Sequence, residues 1–118
     1  MINYEGRKFV SLENSGTGEV DAETVFHYHQ KENIVWAEYG GGEIVRGTLI
    51  AKCDAEGNLE MRYQHINRNG ELMTGKCFSS PEVLPDSRIR LYEKWQWTCG
   101  DLSSGESVIE EIIEPGDD

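Results

Sequence analysis

Leu59-Glu60-Met61-Arg62-Tyr63-Gln64-His65-Ile66-Asn67-Arg68-Asn69-Gly70-Glu71-Leu72-Met73-Thr74-Gly75-Lys76-Cys77-Phe78-Ser79 is the stretch that decides the fold. In its first half, large side chains alternate with Glu60, Arg62 and Gln64, the two-residue period of a strand with one face inward. Asn69-Gly70 is the strongest two-residue hairpin signal in the chain, because both residues tolerate the positive φ a tight turn needs. A second alternating run follows, so the stretch predicts antiparallel strands over 58–66 and 71–79.

Outward from it the same grammar repeats. Turn clusters stand at Asn14-Ser15-Gly16-Thr17-Gly18, Lys31-Glu32-Asn33, Gly40-Gly41-Gly42 and Asp54 to Asn58, then at Ser80 to Asp86 and Gly100 to Gly105. The runs between them are rich in β-branched and aromatic residues and predict further strands over 7–13, 23–30, 34–39, 43–52, 87–98 and 106–113. No segment carries a 3.6-residue apolar period, so no helix longer than about two turns is expected. Connections this short leave no room for crossover helices, and neighbours pair antiparallel in chain order. The fold class is all-β: an up-and-down meander of about eight strands over a single domain, 1–118. An open meander leaves two aggregation-prone edges, and closure into a calycin-like barrel removes both.

Composition bounds the function. The 118 residues suit one core, and the net charge of −11 repels phosphate backbones and anionic lipid. Nucleic acid and membrane are therefore not expected as partners. The charge suits cationic or neutral ligands, although a solvated acidic surface is the favoured explanation of it. The start, Met1-Ile2-Asn3-Tyr4-Glu5, shows neither a basic region nor an apolar run, and Cys53, Cys77 and Cys99 form no C-x-x-C pair. Reduced thiols in a cytoplasm are expected, with no metal and no cofactor.

Alternation assigns an interior face. It gathers Phe26 and Tyr28 with Ile34, Trp36, Glu38, Ile44, Arg46, Thr48 and Ile50. It continues through Leu59, Met61, Tyr63, His65, Leu72, Thr74, Lys76 and Phe78, then Ile89, Leu91, Glu93, Trp95, Trp97, Val108, Glu110 and Ile112. Trp36, Tyr63, Leu91 and Trp95 should be among the most buried side chains, and Arg62, Arg90 and Lys94 exposed. Buried charges must be paired or wet, so the interior is either a polar network or a solvent-filled cavity. Arg46 should find Glu38, or failing that Glu93. The candidate ligand-binding set is Trp36, Glu38, Arg46, Tyr63, Leu91, Glu93 and Trp95, with Trp95 and Trp97 as a stacking platform or simply as core.

Other motifs carry less. His27 and His29 share one strand face, but that face is the outer one, and His65 points inward, so no metal set forms. Gly40-Gly41-Gly42 lacks the Lys-Ser/Thr of a phosphate loop. Cys77 and Cys99 have no local activating group.

Thr24-Val25-Phe26-His27-Tyr28-His29-Gln30, Asn33-Ile34-Val35-Trp36-Ala37-Glu38-Tyr39 and Glu93-Lys94-Trp95-Gln96-Trp97-Thr98, with Gly100-Asp101 and Gly105-Glu106-Ser107, resemble a family of short bacterial proteins over nearly the whole chain. Its members often bear the label "n-acetylglutamate synthase". Acetyl-CoA enzymes of that kind use a Gly-rich pyrophosphate loop opening a helix, and no such signal is present here. The resemblance therefore brings no cofactor and no catalytic residue. The favoured reading is a ligand-binding barrel, monomeric or homodimeric, similar in shape to lipocalins, fatty-acid-binding proteins and avidins. One alternative is an acid–base enzyme with Glu93 or Glu38 as base and Arg46 as electrostatic stabiliser. The other is a structural protein with a filled barrel.

Overall fold

The computed structural model describes residues 2–113; Met1 and residues 114–118 of the expected domain lie outside the described residues. Eight strands follow in order: β1 (Lys8–Asn14), β2 (Val25–Lys31), β3 (Ile34–Gly41), β4 (Ile44–Cys53), β5 (Leu59–Asn67), β6 (Leu72–Val83), β7 (Ile89–Trp97) and β8 (Ser104–Ile112). Each pairs antiparallel with its chain neighbours, and β8 closes on β1. No helix forms among the described residues.

One end of the barrel is plugged. Tyr4, Phe9, Tyr28, Val35, Leu59, Ile89, Leu91 and Ile109 are all essentially inaccessible there. The rings of Tyr4 and Phe9 pack on Tyr28 at 5.9 and 4.8 Å, and the Tyr4 hydroxyl donates to the Gly57 carbonyl of the β4–β5 connection. Burial of this much aromatic and branched surface is the main stabilising term of the fold.

The faces of β5 and β7 follow the alternation: Leu59, Met61, Tyr63 and His65 face inward, as do Ile89, Leu91, Glu93, Trp95 and Trp97. Arg62 and Lys94 are exposed and Arg90 is half-buried. Four other strands depart from the expected phase, and each departure has a cause in its register.

In β3, the two-residue turn pairs Lys31 with Ile34, so Tyr28 faces Ala37 and His29 faces Trp36. Cross-strand partners share a face. Trp36 (37% exposed), Ile34 and Glu38 are therefore outside, and Val35, Ala37 and Tyr39 are inside. In β4, a bulge follows Ile44: Val45 and Arg46 are both exposed before alternation resumes. Ile44 stays inside, but Arg46, Thr48 and Ile50 turn out, and Gly47, Leu49 and Ala51 turn in. Arg46 thus needs no buried carboxylate, and it lies across a shallow outer groove from Glu38.

In β6, a two-residue turn at Asn69-Gly70 would pair 68 with 71 and set Lys76 and Phe78 inside. The Asn67 side chain instead accepts from the Asn69 and Glu71 amides, Ile66 pairs with Leu72, and the strand slips by one. Gly75, Cys77 and Ser79 then face in, and Leu72, Thr74, Lys76 and Phe78 face out. In β8, doublets of like character (Val108-Ile109, Glu110-Glu111) hide the period, and the pairing of Trp95 with Gly105 decides it. Ser107, Ile109 and Glu111 are buried; Val108, Glu110 and Ile112 are not. Glu111 is held by Arg7 at 2.7 Å and by the Ile89 amide, while Glu110 binds Arg88 and Arg90 outside.

Three inward glycines stand opposite aromatic residues in direct register: Gly47 with Tyr39, Gly75 with Tyr63, and Gly105 with Trp95. Each ring lies over its glycine, and a Cβ at any of the three would run into it. The walls above the plug are therefore lined by rings pressed against the sheet.

Candidate functional site

Above the plug the barrel holds a small cavity. Its cavity is lined by Phe26, Tyr39, Leu49, Met61, Tyr63, His65, Cys77, Glu93, Trp95, Trp97 and Ser107, with Asn14, Gly18, Glu19 and Val20 at the mouth. Its volume is about 50 Å³. It is a narrow slot rather than a wide bowl.

Alternation along β7 grades the slot from apolar to polar: Ile89 and Leu91 in the plug, Glu93 at the floor, Trp95 and Trp97 above. The lateral partners of Glu93 are Ser79 on β6 and Ser107 on β8. Both hydroxyls donate to it, Ser79 to Oε2 at 2.8 Å and Ser107 to Oε1 at 3.0 Å. No ion-pair partner of Glu93 exists among the described residues. Burial raises its carboxyl from 4.5 to about 6, against the opposing pull of the two serines.

The two indoles meet at 5.8 Å, and Tyr63 and His65 pack edge-on against Trp97. Phe26 and Tyr39 stack at 4.9 Å. His65 is fully buried and used at both nitrogens: Nδ1 meets the Tyr39 hydroxyl at 2.9 Å and Nε2 meets Glu19 at 2.8 Å. The second Glu19 oxygen accepts from Asn67.

Glu19 belongs to the β1–β2 connection, which crosses the mouth as a strap. The Trp95 indole N–H donates to Asn14 Oδ1 at 2.9 Å, and that of Trp97 to Thr17 Oγ1 at 3.0 Å. Thr17 also meets Ser103, Ser15 exchanges hydrogen bonds with Glu106, and Asn14 closes the loop on the Val20 carbonyl. The strap is thus pinned from the cavity side by the polar edges of the same rings that form the wall.

A family model described as avidin-like protein matches residues 2–112. The chain belongs to the avidin-like family. No curated protein and no solved structure matches it. The match supports a small-barrel family, as the alternating strands and their closure predict.

Of the expected site residues in this avidin-like barrel, Tyr63, Glu93 and Trp95 line the cavity, and Leu91 lies buried in the plug beneath it. Trp36, Glu38 and Arg46 are on the outer wall; Trp36 stacks on His29, which also holds Glu38 at 2.8 Å. Sequence reasoning passed over Ser79, Ser107, Tyr39 and Glu19. Ser79 and Ser107 would have emerged from the cross-strand partners of Glu93, and Tyr39 from its pairing with Phe26 across the β2–β3 hairpin, whereas a turn cluster gives no sign that it folds back over a mouth. Among the described residues no three His, Cys, Asp or Glu side chains converge as a metal set.

Proposed function

We propose that this avidin-like barrel is a cytoplasmic binding module holding one small organic molecule in the slot between Trp95, Trp97 and Tyr63, with its polar end on Glu93. The observation that carries the reading is a ready-made cavity with flat aromatic walls and one convergent polar group at its floor. That combination is what small-molecule sites share, and barrels of eight strands have room for one such ligand.

The acid–base alternative retains one supporting observation, the raised carboxyl of Glu93, but Arg46 and Glu38 stand outside and leave it without a second group. Acetyl-CoA chemistry gains nothing from a lining that contains no Lys or Arg for its phosphates.

The test is a panel of one-ring and two-ring fragments, neutral and charged, titrated into the ¹⁵N-labelled chain. The indole N–H resonances of Trp95 and Trp97 should move for some members while that of Trp36, on the outer wall, stays still. A panel that shifts none of the cavity resonances, or shifts Trp36 alone, defeats the reading.

A further inference from the structure

Glu93 is an unusual floor for a binding slot. Ionised, a carboxylate offers about four acceptor positions, and Glu93 uses two of them on serine hydroxyls. The charged groups of the lining are Glu19, His65 and Glu93, with no Lys or Arg. Glu19 and His65 already satisfy each other at the mouth. The other titratable groups near Glu93 are the hydroxyls of Tyr4, Tyr28, Tyr39 and Tyr63 and the Cys77 thiol. Burial pushes every one of them upward, so they stay neutral. Hence no described residue in the lower barrel neutralises this carboxylate, which lines the aromatic slot with acceptor capacity to spare.

We propose that the ligand is a flat organic cation bearing paired N–H donors, of the amidinium or protonated amino-heterocycle class, docked on Glu93 and stacked against Trp95 and Trp97. The inference deepens the binding reading and rests on it. Two N–H groups on one planar carbon match a carboxylate fork, as a guanidinium does, and the resulting bonds are charge-assisted. Indole faces attract a desolvated cation in their own right. An anion of the same shape would bring a second negative charge beside Glu93 in a low-dielectric site and be rejected. A neutral amide would gain the stacking but not the ion pair.

Benzamidine, benzamide and benzoate share one outline and differ in charge, which makes them the probes. In titrations of the full chain at pH 7.5, read by the Trp95 and Trp97 indole resonances, benzamidine should bind about tenfold or more tightly than benzamide, and benzoate least. Glu93→Gln should bring benzamidine and benzamide to within about twofold of each other. In the parent, lowering the pH from 7.5 to 5 should weaken benzamidine about tenfold, because Glu93 takes up its proton near pH 6, and leave benzamide unchanged. That pH series stands on the parent protein alone and needs no variant.

If benzamide or benzoate binds as well as benzamidine, or if the preference survives Glu93→Gln, cation recognition is wrong while the binding slot stands. If none of the three moves the indoles but neutral members of the fragment panel do, this inference alone falls. If probes and panel are both silent, the slot falls with it.

Discussion

Where Tyr4, Phe9, Leu59, Ile89 and Leu91 meet, the barrel is closed by fully buried apolar packing; at the opposite end, residues 14–20 cross the mouth on side-chain hydrogen bonds to Trp95, Trp97, His65 and Asn67. The two closures differ in kind. Removing one plug side chain leaves a void that close-packed neighbours cannot refill, whereas removing one strap bond returns a polar group to nearby water. The plug therefore holds the fold, and the strap governs access. A site floored by the first and roofed by the second has a rigid bottom and a separately adjustable top.

The comparison is broken most severely at the plug. Leu91→Ala should cost about 2–5 kcal/mol in chemical denaturation. If it costs less than the strap variants below, the division of labour is wrong.

The floor comes next. Glu93 titrates at about 6 in the folded protein against 4.5 ordinarily, so the folded state keeps its proton to higher pH than the unfolded chain. Its contribution is fully favourable below pH 4.5 and is lost as pH rises through 6, a difference of about 2 kcal/mol. Glu110 acts in the opposite sense: the hydrogen bond from Arg90, then that from Arg88, holds it low, and its contribution is lost only as pH falls below its ordinary range. Thermal melts of the parent should therefore peak between about pH 4.5 and 6. Glu93→Gln should flatten the decline above that range, gaining about 1–2 kcal/mol at pH 7.5.

The strap gives smaller effects on stability. Glu19→Gln weakens the contact with His65 and should cost about 1 kcal/mol, while amide exchange over residues 15–20 accelerates more than in any strand. Thr17→Val removes the acceptor for the Trp97 indole and should cost only about 0.5–1 kcal/mol, visible chiefly as faster exchange of that indole proton.

Fold class was legible because turn residues and two-residue periods recur along the whole chain, and those signals are local. The site was legible where a strand announces its own phase. Ile89, Leu91, Glu93, Trp95 and Trp97 stand against Arg90, Lys94 and Gln96, and both faces of β7 can be read without reference to a neighbour. It was not legible where phase depends on pairing. Arg46 follows a bulge that shifts alternation by one residue. Trp36 follows a hairpin whose two-residue turn ties it to His29, information present in the sequence but lodged in turn length rather than in side-chain character. At Asn69-Gly70 the obvious turn lost to the hydrogen bonds of the Asn67 side chain, a competition that composition cannot rank.

Tyr39, Tyr63 and Trp95 lie back against the wall only because Gly47, Gly75 and Gly105 offer no side chain beneath them. The bore of the slot is thus calibrated by three hydrogen atoms on residues that a bound molecule would not touch. A methyl group at Gly47 would tilt the Tyr39 ring toward the axis and narrow the passage at one clock position, leaving Glu93, Tyr63 and both indoles in place. Such a barrel can change the size of what it admits without altering any group that does the recognising, and gauge and chemistry become separately heritable properties of one sheet.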